Sequence, residues 1–225
     1  MKTFKTIALI LLGALTITGC KNNPKEQHDT EKTVSTETIV EKKQEEPTPE
    51  PTITNTENEI SFHKTLTLQN ITFDIKTTGK GSIRQLSIEP KGLEINNDKV
   101  VHEIEGEVVD AEIEDLNSDG YPEILVYTVS AGSGSYGNVI GYSVNNGKSM
   151  SQISFPNLSE NKEANTGYMG HDKFAIVETS LVRKFPVYNE KDTNNTPTGG
   201  ARRVQYKLKN GENSRKFVVH KVFPY

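Results

Sequence analysis

The chain has 225 residues, 33% hydrophobic and 25% charged, with a formal net charge of −4 and one cysteine. So small a net charge, with no basic stripe interleaved with aromatics, speaks against nucleic acid as a partner. A lone cysteine excludes an intrachain disulfide, so any folded part must be stabilised by its core.

Lys2 and Lys5 precede an apolar run from Ile7 to Leu15 that is too short to span a bilayer. The run closes on Ile17-Thr18-Gly19-Cys20, which resembles a bacterial lipobox. Residues 1–19 then read as a lipoprotein signal peptide, and Cys20 as the acylated first residue of an anchored protein. Acyl chains supply ~0.8 kcal/mol per buried methylene, so the membrane partner is reached through lipid on Cys20 and not through a spanning segment. Lys21 follows the cysteine; under the enterobacterial sorting rule that favours the outer membrane, facing either the periplasm or the cell surface. Thr, Glu, Lys and Pro dominate the rest of residues 20–58, which reads as a disordered stalk with too few apolar side chains to form a core. Its root-mean-square reach would be ~35 Å.

Residues 59–225 alternate apolar and polar side chains in short runs. "ITFDIKT" puts Ile71, Phe73 and Ile75 on one face, and "SIRQLSIEP" runs up to Pro90. "KVVHEIEGEVVDAEIEDL" reads as two strands bent at Gly106. "PEILVYTVS" and "NVIGYSV" flank a glycine-rich loop, and "KFAIVETSLVRKFPVY" follows "GYMGHD". The last segment, "RRVQYKLKNGENSRKFVVHKVF", reads as a hairpin whose Asn210-Gly211 pair supplies residues tolerant of positive φ. No stretch shows a capped 3.6-residue period. The expected fold is all-β: one antiparallel sandwich or barrel-like domain. Its charge is split, with 9 basic and 18 acidic residues over 59–180 against 10 and 3 over 181–225.

Two segments carry candidate chemistry. In "SAGSGSYGNVIGYSV" the spacing of Gly132, Gly134 and Gly137 matches a dinucleotide fingerprint. That fingerprint needs a following helix, and Val139, Ile140, Tyr142 and Val144 announce a strand instead. The loop therefore reads as a hairpin tip presenting Ser133, Gly134, Ser135 and Tyr136, with Tyr136 either offered outward or folded back on the rim. In "DLNSDGYPE", Asp115, Asn117 and Asp119 recur at every second residue before Gly120. That set, with Glu123, either wraps a calcium ion or forms an Asx-rich β-turn. The position of an EF-hand's bidentate Glu holds Val126. The five histidines are scattered, no G-x-S-x-G elbow surrounds a serine, and Glu112, Glu114 and Asp115 read as a solvated strand face, so an enzyme is not expected.

The lipobox, "DLNSDGYPEILVYT", "SAGSGSYG", "VIGYSVNNGKS", "GYMGHDKFAIVE", "LVRKFPVY" and "PTGGARRVQYKL" together resemble the bacterial inhibitors of invertebrate-type (I-type) lysozyme, over roughly residues 60–225. The family's S-G-x-Y marker is matched by Ser133, Gly134 and Tyr136. The resemblance implies a periplasmic protein that inserts this loop into the lysozyme cleft, with host defence evasion as a role; the target is a host enzyme, a competitor's weapon or the cell's own autolysin, and no cofactor is expected unless the Asp115–Glu123 set takes calcium. It leaves room for a homodimer. The lipid anchor and stalk depart from the family's usual pattern. The competing reading is a calcium-dependent adhesion or ligand-binding module on a stalk, resting on Asp115, Asn117 and Asp119.

Overall fold

The computed structural model describes residues 59–224, so the signal peptide, Cys20 and the stalk lie outside the described residues. The described residues fall within the compact unit Pro51–Tyr225. Twelve strands form three antiparallel four-stranded sheets, each a simple meander, and none closes into a barrel. The first holds β1 (Ile60–Leu68), β2 (Ile71–Thr78), β3 (Ile83–Lys91) and β4 (Val100–Glu105). The second holds β5 (Glu107–Glu114), β6 (Glu123–Val129), β7 (Gly137–Asn145) and β8 (Ser149–Ile153). The third holds β9 (Lys173–Val177), β10 (Ser180–Pro186), β11 (Ala201–Asn210) and β12 (Arg215–Pro224), in the order β12-β11-β10-β9. Among the described residues the helical content is a 3₁₀ turn at Leu158–Glu160 and one turn of helix, α1, at Lys162–Asn165.

Side-chain alternation sorts the sheets into layers. On the second sheet, Ala111, Ile124, Val126, Ile140, Tyr142 and Val144 join a core with Ile71, Phe73, Ile75, Leu86 and Ile88 of the first. Its opposite face sends Leu125, Tyr127, Val139 and Ile153 into a core with Leu181, Phe185, Val204, Tyr206 and Phe217 of the third. The second sheet is thus the middle layer. Its strand β6 is buried on both sides, which is why "EILVYTV" reads as a continuous apolar run. Fully burying each such side chain contributes ~1.5–3 kcal/mol, and with a lone cysteine in the chain the two cores supply the stabilisation that disulfides would otherwise add. Both cores and all twelve strands lie inside Pro51–Tyr225, so this unit carries its own folding determinants.

The expected bend at Gly106 is where the chain passes from the first layer to the second. Gly106 takes φ 108°, and a Cβ there would sit 1.9 Å from the carbonyl oxygen of Val129. One expectation is corrected. Asn210 and Gly211 do not adopt positive φ; the β11–β12 turn closes with Gly211 N–H donating to Ser214 O at 2.9 Å. The positive-φ Asn-Gly pair is instead Asn146 (φ 50°) and Gly147 (φ 72°), between β7 and β8. Strands β1 and β8 had no separate sequence signal; β8 is five residues long with only Met150 and Ile153 apolar, and is defined by its ladder to β7.

Gly106→Ala is expected to destabilise the domain by about 2–4 kcal/mol, because it combines left-handed backbone with a backbone clash. Thermal or urea unfolding would check this, and a loss under 1 kcal/mol would show that the crossing relaxes.

Candidate functional site

The β6–β7 connection is a hairpin loop, as its flanking strands announce, with Val129 paired to Gly137 at its base. Ser130 closes it twice: its N–H donates to Tyr136 O at 2.9 Å, and its Oγ accepts the Tyr136 N–H at 3.0 Å. At the tip Ser135 N–H donates to Gly132 O at 3.0 Å, and Ser135 adopts φ 42°. Gly134 lies beneath the Tyr136 ring, where an added Cβ would stand 2.5 Å from Cε2.

The chain around the loop holds it from outside. His171 N–H donates to Gly134 O at 2.7 Å, and Asn194 Nδ2 donates to Ser133 O at 2.9 Å. Gly170 (φ 89°) passes so close that a Cβ would lie 2.0 Å from Gly134 O. Both alternatives for Tyr136 are partly realised. Its ring packs edge-on against Tyr168 with centroids 5.7 Å apart, yet the residue stays 50% exposed. Ser133 is exposed, and neither its Oγ nor the Tyr136 hydroxyl has a hydrogen-bond partner among the described residues. A cleft of ≈ 320 Å³ opens beside the loop, with Tyr136, Asn138, Phe155, Asn157, Tyr168 and Arg183 on its walls.

Beneath the loop sits a buried ion pair. Asp172 accepts from Arg183 Nε at 2.6 Å and Nη2 at 3.1 Å, from the Tyr168 hydroxyl at 2.6 Å and from Gly137 N–H at 2.7 Å. Arg183 Nη2 also donates to the Tyr168 hydroxyl at 2.6 Å, and the guanidinium lies over the Tyr168, Phe174 and Phe185 rings. Burial works against the charge on Arg183, but the bonds and charge of Asp172 outweigh it and raise its pKa. Burial, then Asp172, raises the Tyr168 hydroxyl. Sequence reading did not single out these three residues. A signal was present: Arg183 stands between Leu181 and Phe185 at an inward position of β10, and a cation there requires a buried partner.

The Asp115–Glu123 turn lies between β5 and β6. Asp115 accepts from Asp119 N–H at 3.0 Å and Gly120 N–H at 2.9 Å, Asn117 Oδ1 from Asp119 N–H at 3.0 Å, and Asp119 Oδ1 from Tyr121 N–H at 3.0 Å. Arg215, reaching over from β12, donates to Asp119 Oδ2 and to Ser143 Oγ. Glu123 is fully buried, accepting from Leu116 N–H at 2.8 Å and Ser143 Oγ at 2.5 Å. Burial, only partly offset by these bonds, pushes its pKa up to about 7. The solvated-face reading holds for Glu114 but not for Glu112. The Glu112 carboxylate takes the Tyr127 hydroxyl at 2.6 Å and Ile176 N–H at 2.8 Å, joining the second sheet to the third. Among the described residues no cluster of three His, Cys, Asp or Glu side chains is arranged to hold a metal ion.

The site therefore has exposed hydroxyls on a braced loop. Fold and site define a class: an all-β binding domain that presents a rigid hairpin tip. A family model described as periplasmic lysozyme inhibitor of I-type lysozyme matches residues 74–165. The match contains the loop and the Asp115–Glu123 turn and is narrower than the likeness over residues 60–225, ending before Tyr168, Asp172 and Arg183. It indicates a periplasmic lysozyme inhibitor, and the proteins of that family are inhibitors, not enzymes. No curated protein and no solved structure matches the chain.

Two outcomes are expected. Arg183→Leu leaves the Asp172 carboxylate buried without its cation, and should cost about 3–5 kcal/mol in an unfolding experiment. Glu123 favours the fold most when protonated, so its contribution is present below pH 4.5 and declines as pH rises through about 7. Glu123→Gln should therefore stabilise the domain at pH 8 relative to the parent by on the order of 3 kcal/mol, and change little at pH 4. A pH series of melting temperatures reads this directly; parallel curves would mean that Glu123 is ionised throughout.

Proposed function

We propose that the chain is a lipid-anchored inhibitor of I-type lysozyme that blocks the enzyme by inserting the Ser133–Tyr136 loop into its active-site cleft. One observation supports the loop as the contact: it offers two unsatisfied hydroxyls on a backbone fixed from both sides. Lysozyme flanks the scissile glycosidic bond with two carboxyl groups. On this reading, Ser133 and Tyr136 donate to those carboxyls, and a bond to the ionised one is about twice as strong as a neutral one. Glycines at 132 and 134 keep the tip narrow enough for a glycan groove. Because the loop is already ordered, little conformational entropy is lost on docking. Nothing scissile is presented, so the complex does not turn over.

The lipid on Cys20 and the stalk would hold this domain at the outer membrane, facing the periplasm or the exterior. Long-range steering of a basic lysozyme by Glu103–Glu123 has less charge behind it than the nine carboxylates of that stretch imply. Glu107 is paired with Arg84, Asp110 with Lys64 and Asp119 with Arg215, and Glu123 is buried. The Asp115–Glu123 turn is read here as structural, with Arg215 supplying the positive charge that a cation would bring.

Tyr136→Phe and Ser133→Ala should each weaken lysozyme binding by ~1–3 kcal/mol while leaving the melting temperature unchanged. Calorimetric titration and inhibition of cell-wall lysis would check both; parent-like binding by both variants would remove the loop from the contact. Melting temperature should be the same with calcium and with chelator, and a calcium-dependent rise would revive the adhesion-module reading.

A further inference from the structure

The outer face of the third sheet is strongly basic. Strands β9 to β12 contain no Asp or Glu. Since Phe174, Arg183, Phe185, Val204, Tyr206, Leu208 and Phe217 point inward, the alternate positions point out, and these are rich in lysine. Cross-strand register sets like charges side by side: Lys184 faces Lys173 on one side and Arg203 on the other, and Lys209 faces Lys216. Lys207 and Lys221 extend the same face, and Arg203 lies over the Phe223 ring at 4.7 Å. Like charges directly opposite each other destabilise a ladder.

The first sheet handles its cations differently. Lys64, Lys76, Lys80, Arg84 and Lys91 each have a carboxylate partner within ion-pair distance. Among the described residues, Lys173, Lys207, Lys209, Lys216 and Lys221 have none. The inward cations of the third sheet are engaged, Arg183 by Asp172, Arg202 by the carbonyls of Ala164 and Thr166, and Arg215 by Asp119. Lys207 is held by the carbonyl and hydroxyl of Thr179, which leaves Lys173, Lys209, Lys216 and Lys221 clustered on one face without a carboxylate among the described residues. That face is a ladder four strands wide, ~15 Å across at the usual strand spacing, with one register shift between Gln205 and Tyr206. Lysine is a mobile point charge, which suits a fluid array of anions better than one fixed ligand.

We propose that this outer face is an electrostatic docking surface for an anionic phospholipid bilayer. It would let the domain lie against the membrane rather than only hang from a tether, and it acts independently of the loop. Each lysine within a Debye length of the headgroups adds to the attraction, so binding depends steeply on lipid charge and on salt.

The test is co-sedimentation of the Pro51–Tyr225 unit with vesicles of phosphatidylcholine alone and of phosphatidylcholine with phosphatidylglycerol. The expected result is binding to the anionic vesicles only, weakened about tenfold or more between low and physiological ionic strength. Lys209→Glu/Lys216→Glu/Lys221→Glu should abolish that binding while keeping the parent's melting temperature; if it melts early, the corresponding Gln triple replaces it and should weaken binding about tenfold. Tyr136→Phe should bind vesicles as the parent does. Equal binding to neutral vesicles, or anionic binding unchanged in the lysine variants, overturns the proposal. Capture of soluble polyphosphate or DNA without binding to vesicles also overturns it, in favour of a polymeric anion.

Discussion

The Asp172 carboxylate is the point on which the site depends. It holds the Arg183 guanidinium, the Tyr168 hydroxyl and the Gly137 amide at once, and Gly137 is the first residue of β7 after the loop. A buried pair of this kind contributes little net stability, since desolvation offsets much of the attraction. What it supplies is geometry. The segment Tyr168–Asp172 is drawn against the loop, so that Gly170 and His171 meet Gly134 at backbone distance. The Tyr136 ring, packed on Tyr168, inherits its position from the same pair.

The rest of the fold supports this arrangement in layers. Burying β6 on both faces fixes one side of the hairpin rigidly, because sliding it would disturb two cores. The third sheet delivers Arg183 from β10 and, at the far end, sends Arg215 from β12 to the Asp115–Glu123 turn. The third sheet thus braces both connections of β6, though it lies outside the stretch matched by the inhibitor family. Its outward face, free of acidic residues, is then available for a different contact.

Much of this was legible in the sequence. Alternation over Ile71–Ile75, the bend at Gly106 and the strand after Gly137 each reported on local backbone, and local backbone follows from side-chain period and glycine placement. The loop was legible for the same reason. The brace was not, because Asp172 and Arg183, paired across the β9–β10 hairpin, and Asn194 reach the loop only once the third sheet has packed on the second. Asn210-Gly211 misled because an Asn-Gly pair permits positive φ without compelling it; the strand register decides whether the turn needs it. Glu112 misled because an alternating acidic strand seems solvated until the neighbouring edge strand β9 presents Ile176 to it.

The central claim is that an externally braced loop makes this domain a lysozyme inhibitor. The measurement that tests it most directly is inhibition of an I-type lysozyme by the Pro51–Tyr225 unit beside its Gly170→Ala variant. That substitution removes no side-chain contact; its Cβ would press on the Gly134 carbonyl at 2.0 Å and crowd Tyr136 Cδ1 at 3.3 Å, so it disturbs the brace and not the loop's own hydroxyls. The account predicts strong inhibition by the parent, and inhibition weaker by about tenfold or more in a variant that still unfolds cooperatively. A parent that does not inhibit, or a folded variant that inhibits equally well, would contradict it.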